Sequence, residues 1–405
     1  FKSNGKRAEN EKITYKGKTY YFDTDGIMLT GWVNTGDGTS AVNEATGYDA
    51  DHTFYCDETG ARVEGAWVKD VEPGTDDDDA DADEYWYYLK KATGKPATGK
   101  QSNISGQIYL FNESGQMQYG WVARSDSKTK KFVQLDKEDD EQAMITLAEE
   151  EDSEVYYCGD EDDGHAKKNK WLKTWLPDDT NEEEDDMKWF WFDKNGKLYR
   201  ASGSDAVKAQ KYKLEEGKLV YDGSEITGVD KKKVNSKDYW FRPDGAMISK
   251  FYEINGNMYY FGGSDDGSMK TGSQSVKDNT GDTYKFYFET KTGANKGAGV
   301  TGNQSNKLYY YGMLIQADDY KYQVANIDGV KFIVNSNGSI QHSYDTTYKE
   351  DGDELITVDK SVEKGGKAAY NTTGAYKYGF TAGVQSKVDD VDMSKFIEGK
   401  NGFTK

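Results

Sequence analysis

Residues 15–33 read YKGKTYYFDTDGIMLTGWV, and this stretch sets the pattern for the rest of the chain. The aromatic run at residues 20–22 predicts a short β-strand, because rings favour a pleated, half-buried surface. Residues 23–26 predict a turn whose glycine supplies a positive φ, and residues 27–29 predict the return strand. Gly31 and Trp32 then close the unit. A single hairpin is marginally stable in water, so this one needs a neighbour to cover it.

Degenerate copies of the same pattern recur along the chain. Each copy has a short run of aromatic residues followed by a glycine-containing turn; one copy leads to Gly120-Trp121, and another to Gly65-Ala66-Trp67. The copies lie at residues 53–67, 86–99, 109–122, 155–158, 189–196, 239–247, 258–272, 286–293, 308–311 and 331–338. Self-similarity at this spacing is typical of an architecture in which each unit buries its face on the next. The sequence therefore predicts an all-β protein, an elongated solenoid of stacked β-hairpin repeats.

The repeats also predict the domain organisation. We expect residues 1–343 to form the hairpin solenoid, with a Trp-rich part at 1–200 and a Tyr-rich part at 201–343. Beyond residue 343 the pattern fades, so residues 344–405 are predicted to form an irregular C-terminal cap. Acidic insertions, including those within 70–84 and 177–188, interrupt the hairpins and are typical of solvated loops.

Aromatic residues replace most of the aliphatic core that a chain of this length would ordinarily carry. The 31 Tyr and 9 Trp provide large surfaces that can be buried and stacked on one another, so the chain is expected to fold despite its charge. The two cysteines, Cys56 and Cys158, occupy the same slot in hairpins far apart in the series. They are therefore predicted to be small buried residues rather than a disulfide.

A net charge of −20 argues against nucleic acid as a partner and against adhesion to anionic lipid, since both would be repelled. No apolar run is long enough to span a bilayer, so membrane insertion is not expected. The acidic runs could hold calcium, but none has the spacing of a calcium-binding loop, and no metal is predicted.

Nothing in the sequence indicates catalysis. The histidines His52, His165 and His342 stand alone, and no nucleophile, zinc or phosphate-loop motif is present. We therefore expect neither an enzyme active site nor a cofactor.

The pattern Gly-Lys-aromatic-Tyr-Tyr-aromatic followed by Gly-x-Met-x-Thr-Gly-Trp resembles the cell-wall-binding repeat of Gram-positive bacteria. That family includes choline-binding modules and related repeats of glucan-binding proteins and clostridial toxins. The resemblance is close at residues 15–33, 86–99, 107–122 and 258–272. It implies a non-catalytic module of a secreted or cell-surface protein, associated with the cell wall, that binds choline-bearing teichoic acid or a glucan between successive hairpins.

The resemblance also implies where a ligand would bind. In choline-binding relatives the ring box uses a Trp that opens the Tyr-Tyr strand, a Trp after the Gly of the return, and a Tyr from the next hairpin. Here only Trp86 and Trp189 keep the opening position, so complete choline cages are expected to be few or none. The candidate ligand-binding residues are Trp32, Trp67, Trp86, Tyr88, Trp121, Trp171, Trp175, Trp189 and Trp191.

Two functions remain open at this point. The first is binding of cell-wall teichoic acid or glucan, which the surviving Gly31-Trp32 and Gly120-Trp121 pairs favour. The second is a structural or adhesive stalk, or a scaffold for a protein partner on a host or bacterial surface, in which the pockets have been lost. The degenerate Trp positions and the acidic insertions favour this alternative.

Overall fold

The computed structural model describes residues 2–36, 42–75, 81–124, 131–135, 153–177, 187–202, 207–317, 322–327, 330–341, 347–349, 355–358 and 384–385. The chain divides into two compact units, Phe1–Tyr199 and Arg200–Lys405. The described residues form strands and turns and contain no helix. The predicted all-β hairpin fold is confirmed.

The first unit contains short antiparallel strands. They are β1 (Glu11–Tyr15), β2 (Lys18–Phe22), β3 (Gly31–Asn34), β4 (Asn43–Glu44), β5 (Thr53–Cys56), β6 (Ala66–Val71), β7 (Glu84–Leu89), β8 (Gly99–Ile104), β9 (Gln107–Phe111), β10 (Trp121–Arg124), β11 (Val133–Gln134), β12 (Glu154–Tyr157), β13 (Lys170–Thr174) and β14 (Lys188–Phe192). The main hairpins are β1–β2, β3–β5, β6–β7, β8–β9, β10–β12 and β13–β14.

The second unit has larger sheets. Its strands are β15 (Lys208–Glu215), β16 (Lys218–Thr227), β17 (Asp230–Val234), β18 (Lys237–Phe241), β19 (Phe251–Ile254), β20 (Asn257–Tyr260), β21 (Gly272–Lys277), β22 (Thr283–Phe288), β23 (Gly302–Gln304), β24 (Lys307–Tyr310), β25 (Met313–Leu314), β26 (Tyr322–Ile327), β27 (Val330–Asn335), β28 (Thr347–Lys349), β29 (Leu355–Val358) and β30 (Val384–Gln385). Sheets of four and five strands, in the orders β16-β15-β19-β20 and β21-β22-β25-β24-β23, stand beside smaller ones.

The structure corrects the predicted pairing within the first hairpin. The aromatic strand β2 pairs with β1, through a two-residue turn at Lys16 and Gly17 whose φ values are 49° and 79°. A two-residue turn with positive φ at both residues has a backbone twist that matches the twist of the strands it joins. The expected return segment makes only one bridge, between Phe22 and Met28. The Gly-Trp segment opens the next hairpin, and Trp32 lies opposite Tyr55.

The turn that follows each aromatic strand therefore connects hairpins. In the first copy, the Asp23 carboxylate accepts hydrogen bonds from the N–H groups of Asp25 (2.9 Å) and Ile27 (2.7 Å). This Asx-type turn is a local alternative to strand pairing, and it ends the aromatic strand. The repeat is thus a Gly-Trp strand, an aromatic strand and a connecting turn.

Successive repeats are joined by one recurring main-chain hydrogen bond. The N–H of the residue after each connecting turn donates to the carbonyl of the residue that opens the aromatic strand of the preceding repeat. The donor and acceptor pairs are Arg62 and Thr19, Met117 and Trp86, Ala166 and Ile108, Leu198 and Val155, Met269 and Asp238, and Gly299 and Met258, at 2.7–2.8 Å. In the repeat that contains β7, the residue at the donor position is Pro96, which has no N–H and cannot make this hydrogen bond.

Aromatic side chains are the largest groups in the protein interior, as the composition predicts. The largest fully buried side chains are all Tyr or Phe, among them Tyr21, Tyr87, Tyr156 and Tyr212. Each is packed within a local cluster beneath a hairpin rather than in one continuous core. The prediction of an aromatic core is confirmed.

Cys56 and Cys158 are both free and buried, as predicted. Burial raises the pKa of the Cys56 thiol to about 12. These residues fill the core slot that Leu89 fills in β7.

Two further outcomes concern the second unit. The long hairpin of β15 and β16 was not anticipated, because its residues alternate without an aromatic pair. In the predicted cap, residues 355–358 form strand β29, which pairs with β28 and β30. Most of the cap and the densest acidic runs, at 76–79 and 178–186, lie outside the described residues.

Candidate functional site

The hairpin of β6 and β7 brings two tryptophans to one face. Trp67 lies opposite Tyr88, and Lys69 lies opposite Trp86. Because residues two apart on a strand point the same way, all four side chains share that face. The Trp67 ring meets Trp86 edge-on at 6.4 Å and Tyr88 at 5.2 Å between centroids.

The next hairpin supplies a third wall. Tyr109, on β9, lies 4.8 Å from Trp67 between ring centroids, and Phe111 lies 5.8 Å from it and nearly parallel. Met117 follows the connecting turn, and its N–H donates to the Trp86 carbonyl at 2.8 Å. These contacts hold the rings in fixed relative positions.

A cavity of about 190 Å³ opens between these side chains. Its lining combines aromatic rings, one methionine and two carboxylates. We call it the aromatic cage, and it is formed by Trp67, Trp86, Tyr109, Met117, Asp162 and Asp163.

The two carboxylates come from the turn after β12. Asp162 accepts a hydrogen bond from the Trp86 indole at 3.2 Å, and its carboxylate lies 3.6 Å from the Lys69 ammonium. Asp163 accepts a hydrogen bond from Lys167 at 2.8 Å and also contacts the His165 ring. Partial burial raises the pKa of Asp163, but the bonds from Lys167 and His165 outweigh it and hold the pKa below the ordinary value. This carboxylate is therefore charged at neutral pH.

Gly164 makes this approach of the acidic turn possible. Its φ is 55°, and a Cβ at this position would lie 2.2 Å from the Met117 methyl carbon. A residue with a side chain would be strained in that conformation and would collide with the methionine. Glycine therefore allows the turn to close the cage.

The chemistry of the aromatic cage favours an organic cation or a sugar. Ring faces attract a cation through their quadrupoles, and the C–H face of a sugar stacks on the same rings. The two carboxylates add negative charge beside the rings, and this favours the cation.

The structure places the other predicted site tryptophans differently. Trp32 is 8% exposed and packs against Tyr55 and Tyr87 at 5.0 and 4.7 Å between ring centroids. Trp121 is 6% exposed and packs against Tyr157 and Phe190. Both rings lie between hairpins, and Trp121 does not share a surface with Trp86.

The second predicted cluster lies on β13, β14 and the residues after β13. Trp171 lies opposite Trp191 at 5.4 Å between centroids, and Trp189 lies opposite Lys173. The Trp175 carbonyl accepts the indole N–H of Trp121 at 2.9 Å. These four tryptophans are therefore near one another in the fold, with Trp191 buried and the other three partly exposed.

Sequence reasoning missed four of the residues that line the cage. Tyr109 could have been found, because the resemblance implies a Tyr from the next hairpin. Met117, Asp162 and Asp163 carry no signal that separates them from the other methionines and acidic residues of the chain.

Within the described residues, no group of three or more His, Cys, Asp or Glu side chains is arranged to hold a metal ion. A helix capable of crossing a bilayer is likewise absent from that part of the chain. His342 lies outside the described residues, while His52 and His165 each contact an aspartate.

Comparison with known families bears directly on the repeated pattern. Residues 13–28 and 232–247 match the family described as "Putative cell wall binding repeat". The chain carries cell wall binding repeats. The first match covers the end of β1, all of β2 and the turn after it, and the second covers the end of β17, all of β18 and the turn after it. One match lies in each unit.

Two streptococcal proteins contain stretches similar to this chain. The chain is 24% identical over 308 residues to Glucosyltransferase-S of Streptococcus mutans, covering 74% of this chain and 17% of that protein. It is 24% identical over 438 aligned positions to Glucosyltransferase-I of Streptococcus downei, covering 99% of this chain and 25% of that protein. The chain thus spans a quarter or less of these relatives.

Solved structures with similar chains include two from Streptococcus pneumoniae. The modular autolysin LytC is 17% identical, with 90% of this chain and 54% of that chain covered and a TM-score of 0.37. Choline binding protein F is 18% identical, with 82% of this chain and 92% of that chain covered and a TM-score of 0.31.

Proposed function

We propose that the chain is a non-catalytic module that binds a cell-wall polymer or carbohydrate through the aromatic cage. The observation that carries the proposal is the cavity itself, in which rings from two successive hairpins meet two carboxylates. The matches to a cell wall binding repeat at residues 13–28 and 232–247 of the same chain support the proposal.

A quaternary ammonium such as choline is the ligand that the cage favours. Each ring face can contribute about 0.5–2 kcal/mol to holding such a cation. The charge on Asp163 at neutral pH adds an attraction that a neutral sugar would not feel. Teichoic acid bearing choline is the wall polymer that presents this group.

Glucan is the second candidate ligand. Both curated relatives are named glucosyltransferases, and the similarity lies in their repeats. An open ring surface such as that of Trp86 can stack on a sugar without a charge. The experiment below distinguishes the two ligands.

We further propose that the hairpins continue as a solenoid over residues 1–343, with a Trp-rich part at 1–200, a Tyr-rich part at 201–343 and a cap at 344–405. The recurring bond between successive repeats supports this arrangement within each unit. A secreted, wall-associated location follows from the proposed ligand, and a protein partner on a host or bacterial surface belongs to the alternative of a stalk or scaffold. The burial of Trp32 and Trp121 between hairpins favours that alternative for their repeats.

The test is intrinsic Trp fluorescence during titration with choline, with soluble α- and β-glucans, and with purified cell wall. We expect a saturable change with choline that is lost in Trp86→Ala. The matched control is Trp189→Ala, which removes the ring from the same slot of another hairpin and should leave the response at the cage intact.

Each result decides between the candidates. A saturable fluorescence change with a glucan but not with choline, also lost in Trp86→Ala, would indicate that the cage binds carbohydrate. A wild-type protein that responds to none of the ligands would overturn the binding function and leave the scaffold.

A further inference from the structure

A second hairpin has the same strand pairing as the hairpin of the aromatic cage but carries lysines at positions where the cage has an indole and a carboxylate. It is the hairpin of β17 and β18, in the second unit. In the hairpin of β6 and β7, which carries the aromatic cage, Trp67 lies opposite Tyr88. Tyr88 is the second-to-last residue of the aromatic strand β7. In this hairpin, the residue opposite Trp240 is Lys231. An ammonium group therefore stands where the cage has an indole.

The slot that opens the aromatic strand is also changed. Met269 donates its N–H to the Asp238 carbonyl at 2.8 Å, as the methionine of the cage does to Trp86. Asp238 thus occupies the slot of Trp86. Lys233 lies opposite Asp238, as Lys69 lies opposite Trp86.

The third change lies in the turn that contains Lys296 and Gly297, which corresponds to the acidic turn of the cage. A Cβ on Gly297 would lie 2.7 Å from the Met269 sulfur, and Gly164 stands in the same relation to the methionine of the cage. Lys296 precedes Gly297 in the sequence, as Asp163 precedes Gly164. A lysine therefore replaces an aspartate of the cage.

The result is a face with excess positive charge on a strongly acidic chain. The Lys296 ammonium lies 2.8 Å from the Asp238 carboxylate, whose side chain is 10% exposed. Lys231 and Lys233 are exposed and point to the same side of the hairpin as Asp238, since they lie two residues apart and one of them is directly opposite it. This side of the hairpin thus carries Lys231, Lys233 and one carboxylate, to which Lys296 is paired.

The pKa of Asp238 agrees with this geometry. Partial burial raises it, but the hydrogen bond from Lys296 and the charges of Lys296, Lys233 and Lys231 lower it below the ordinary value. The charge of each of the three lysines favours the ionised carboxylate, and Lys296 is in ion-pair contact with it. A single aspartate neutralises only one of them.

We propose that this face, formed by Lys231, Lys233, Asp238 and Lys296, binds an oxyanion carried by a polymer, either a phosphate ester or a sugar carboxylate. Ammonium groups are point-charge partners for both, and Asp238 keeps Lys296 in place beside the two exposed lysines. The site is independent of the aromatic cage and requires no ligand there.

The experiment is isothermal titration calorimetry of the whole chain with glycerol phosphate and, separately, with glucuronate, at constant ionic strength. The test variant is the double substitution Lys231→Gln and Lys233→Gln. The control is Lys232→Gln with Lys237→Gln, which removes the same charge from the same hairpin on its opposite face.

We expect saturable binding of one or both oxyanions, weakened about tenfold in the test variant, because two of the three ammonium groups are lost. The control should bind like the wild type. Saturation by only one compound would identify the group as phosphate or carboxylate. Absence of saturable binding, or equal weakening in the control, would overturn the proposal and leave the lysines as a solvated surface that includes one ion pair.

Discussion

The indole N–H of Trp32 donates a hydrogen bond of 2.9 Å to the main-chain carbonyl of Val71. The bond joins one hairpin to the first strand of the next, and the ring is buried against Tyr55 and Tyr87. Trp32→Ala should therefore lower the free energy of unfolding by about 3–5 kcal/mol, the usual cost of removing a large buried ring. Urea denaturation followed by circular dichroism measures it.

Trp86→Ala is the matched control for this prediction. Its ring is partly exposed at the cage, so its removal should cost clearly less stability than removal of Trp32. Equal losses for the two variants would mean that both rings are core material and would count against the cage.

Gly164→Ala should damage the cage more than it damages the fold. The new methyl group would collide with Met117 while the backbone keeps a φ of 55°. We expect weaker binding of choline and a lower melting temperature. Gly106→Ala is the control, because its φ is 81° and a Cβ there meets nothing within 4 Å. It imposes similar backbone strain without the collision, and a ligand affinity reduced equally in both would contradict the proposed role of Gly164.

The charge on Asp163 predicts how binding of a cation changes with pH. Lys167 and His165 hold its pKa below the ordinary aspartate value of about 3.9. A carboxyl group with a lowered pKa keeps its charge above that ordinary value and loses it as the pH falls through the lowered one. Choline affinity at the cage should therefore stay constant from pH 7 to 5 and decline only below about pH 4. Calorimetric titrations at pH 7, 5 and 3.5 measure this.

Asp163→Asn should weaken choline binding at pH 7 and remove most of the decline at low pH. A fall in wild-type affinity between pH 7 and 5 would instead indicate that a group other than Asp163 controls the site.

Buried tyrosines predict a loss of stability at high pH. Burial, together with the charges of Asp49 and Asp51, raises the pKa of Tyr48 to about 12, and burial raises that of Tyr252 to about 12. In the unfolded chain a tyrosine ionises near 10. Their contribution to stability is therefore complete below pH 10 and is lost as the pH rises from 10 through 12. Urea midpoints at pH 9 and 11 test this, with absorbance at 295 nm reporting ionisation.

The unfolded protein in guanidinium is the reference for that titration and should ionise all its tyrosines near pH 10. A folded protein whose tyrosines all titrate at the same pH as the reference would show that these rings are accessible to water.

The aromatic strands and the ring-based core were predictable because both rest on local pattern, as Tyr21 and Tyr87 illustrate. The pairing of strands was not, because the Lys16-Gly17 turn places a non-glycine residue at positive φ, and the sequence does not distinguish it from the Asp-x-x-Gly turn nearby. Only the structure shows which of two turns closes a hairpin.

The cage was only partly predictable for a related reason. Trp67, Trp86 and Tyr88 stand close in the sequence and share one hairpin. Asp162 reaches Trp86 from 76 residues away, beyond a long insertion, and no local pattern indicates that contact. The hairpin of β15 and β16 escaped prediction because neither strand has adjacent aromatic residues; its two rings, Tyr212 and Tyr221, pair only across the strands.

Pro96 stands where other repeats donate a main-chain hydrogen bond to the repeat before them. Each repeat contacts mainly its immediate neighbours, so distant repeats cannot replace a missing main-chain hydrogen bond. At this junction, between the hairpin of β3 and β5 and the hairpin of β6 and β7, the indole of Trp32 makes a connection instead, through its hydrogen bond to the Val71 carbonyl. Mechanical stability at this junction therefore depends on a side chain, and a pulling force along the chain would separate the two hairpins more easily in Trp32→Ala than in the wild type.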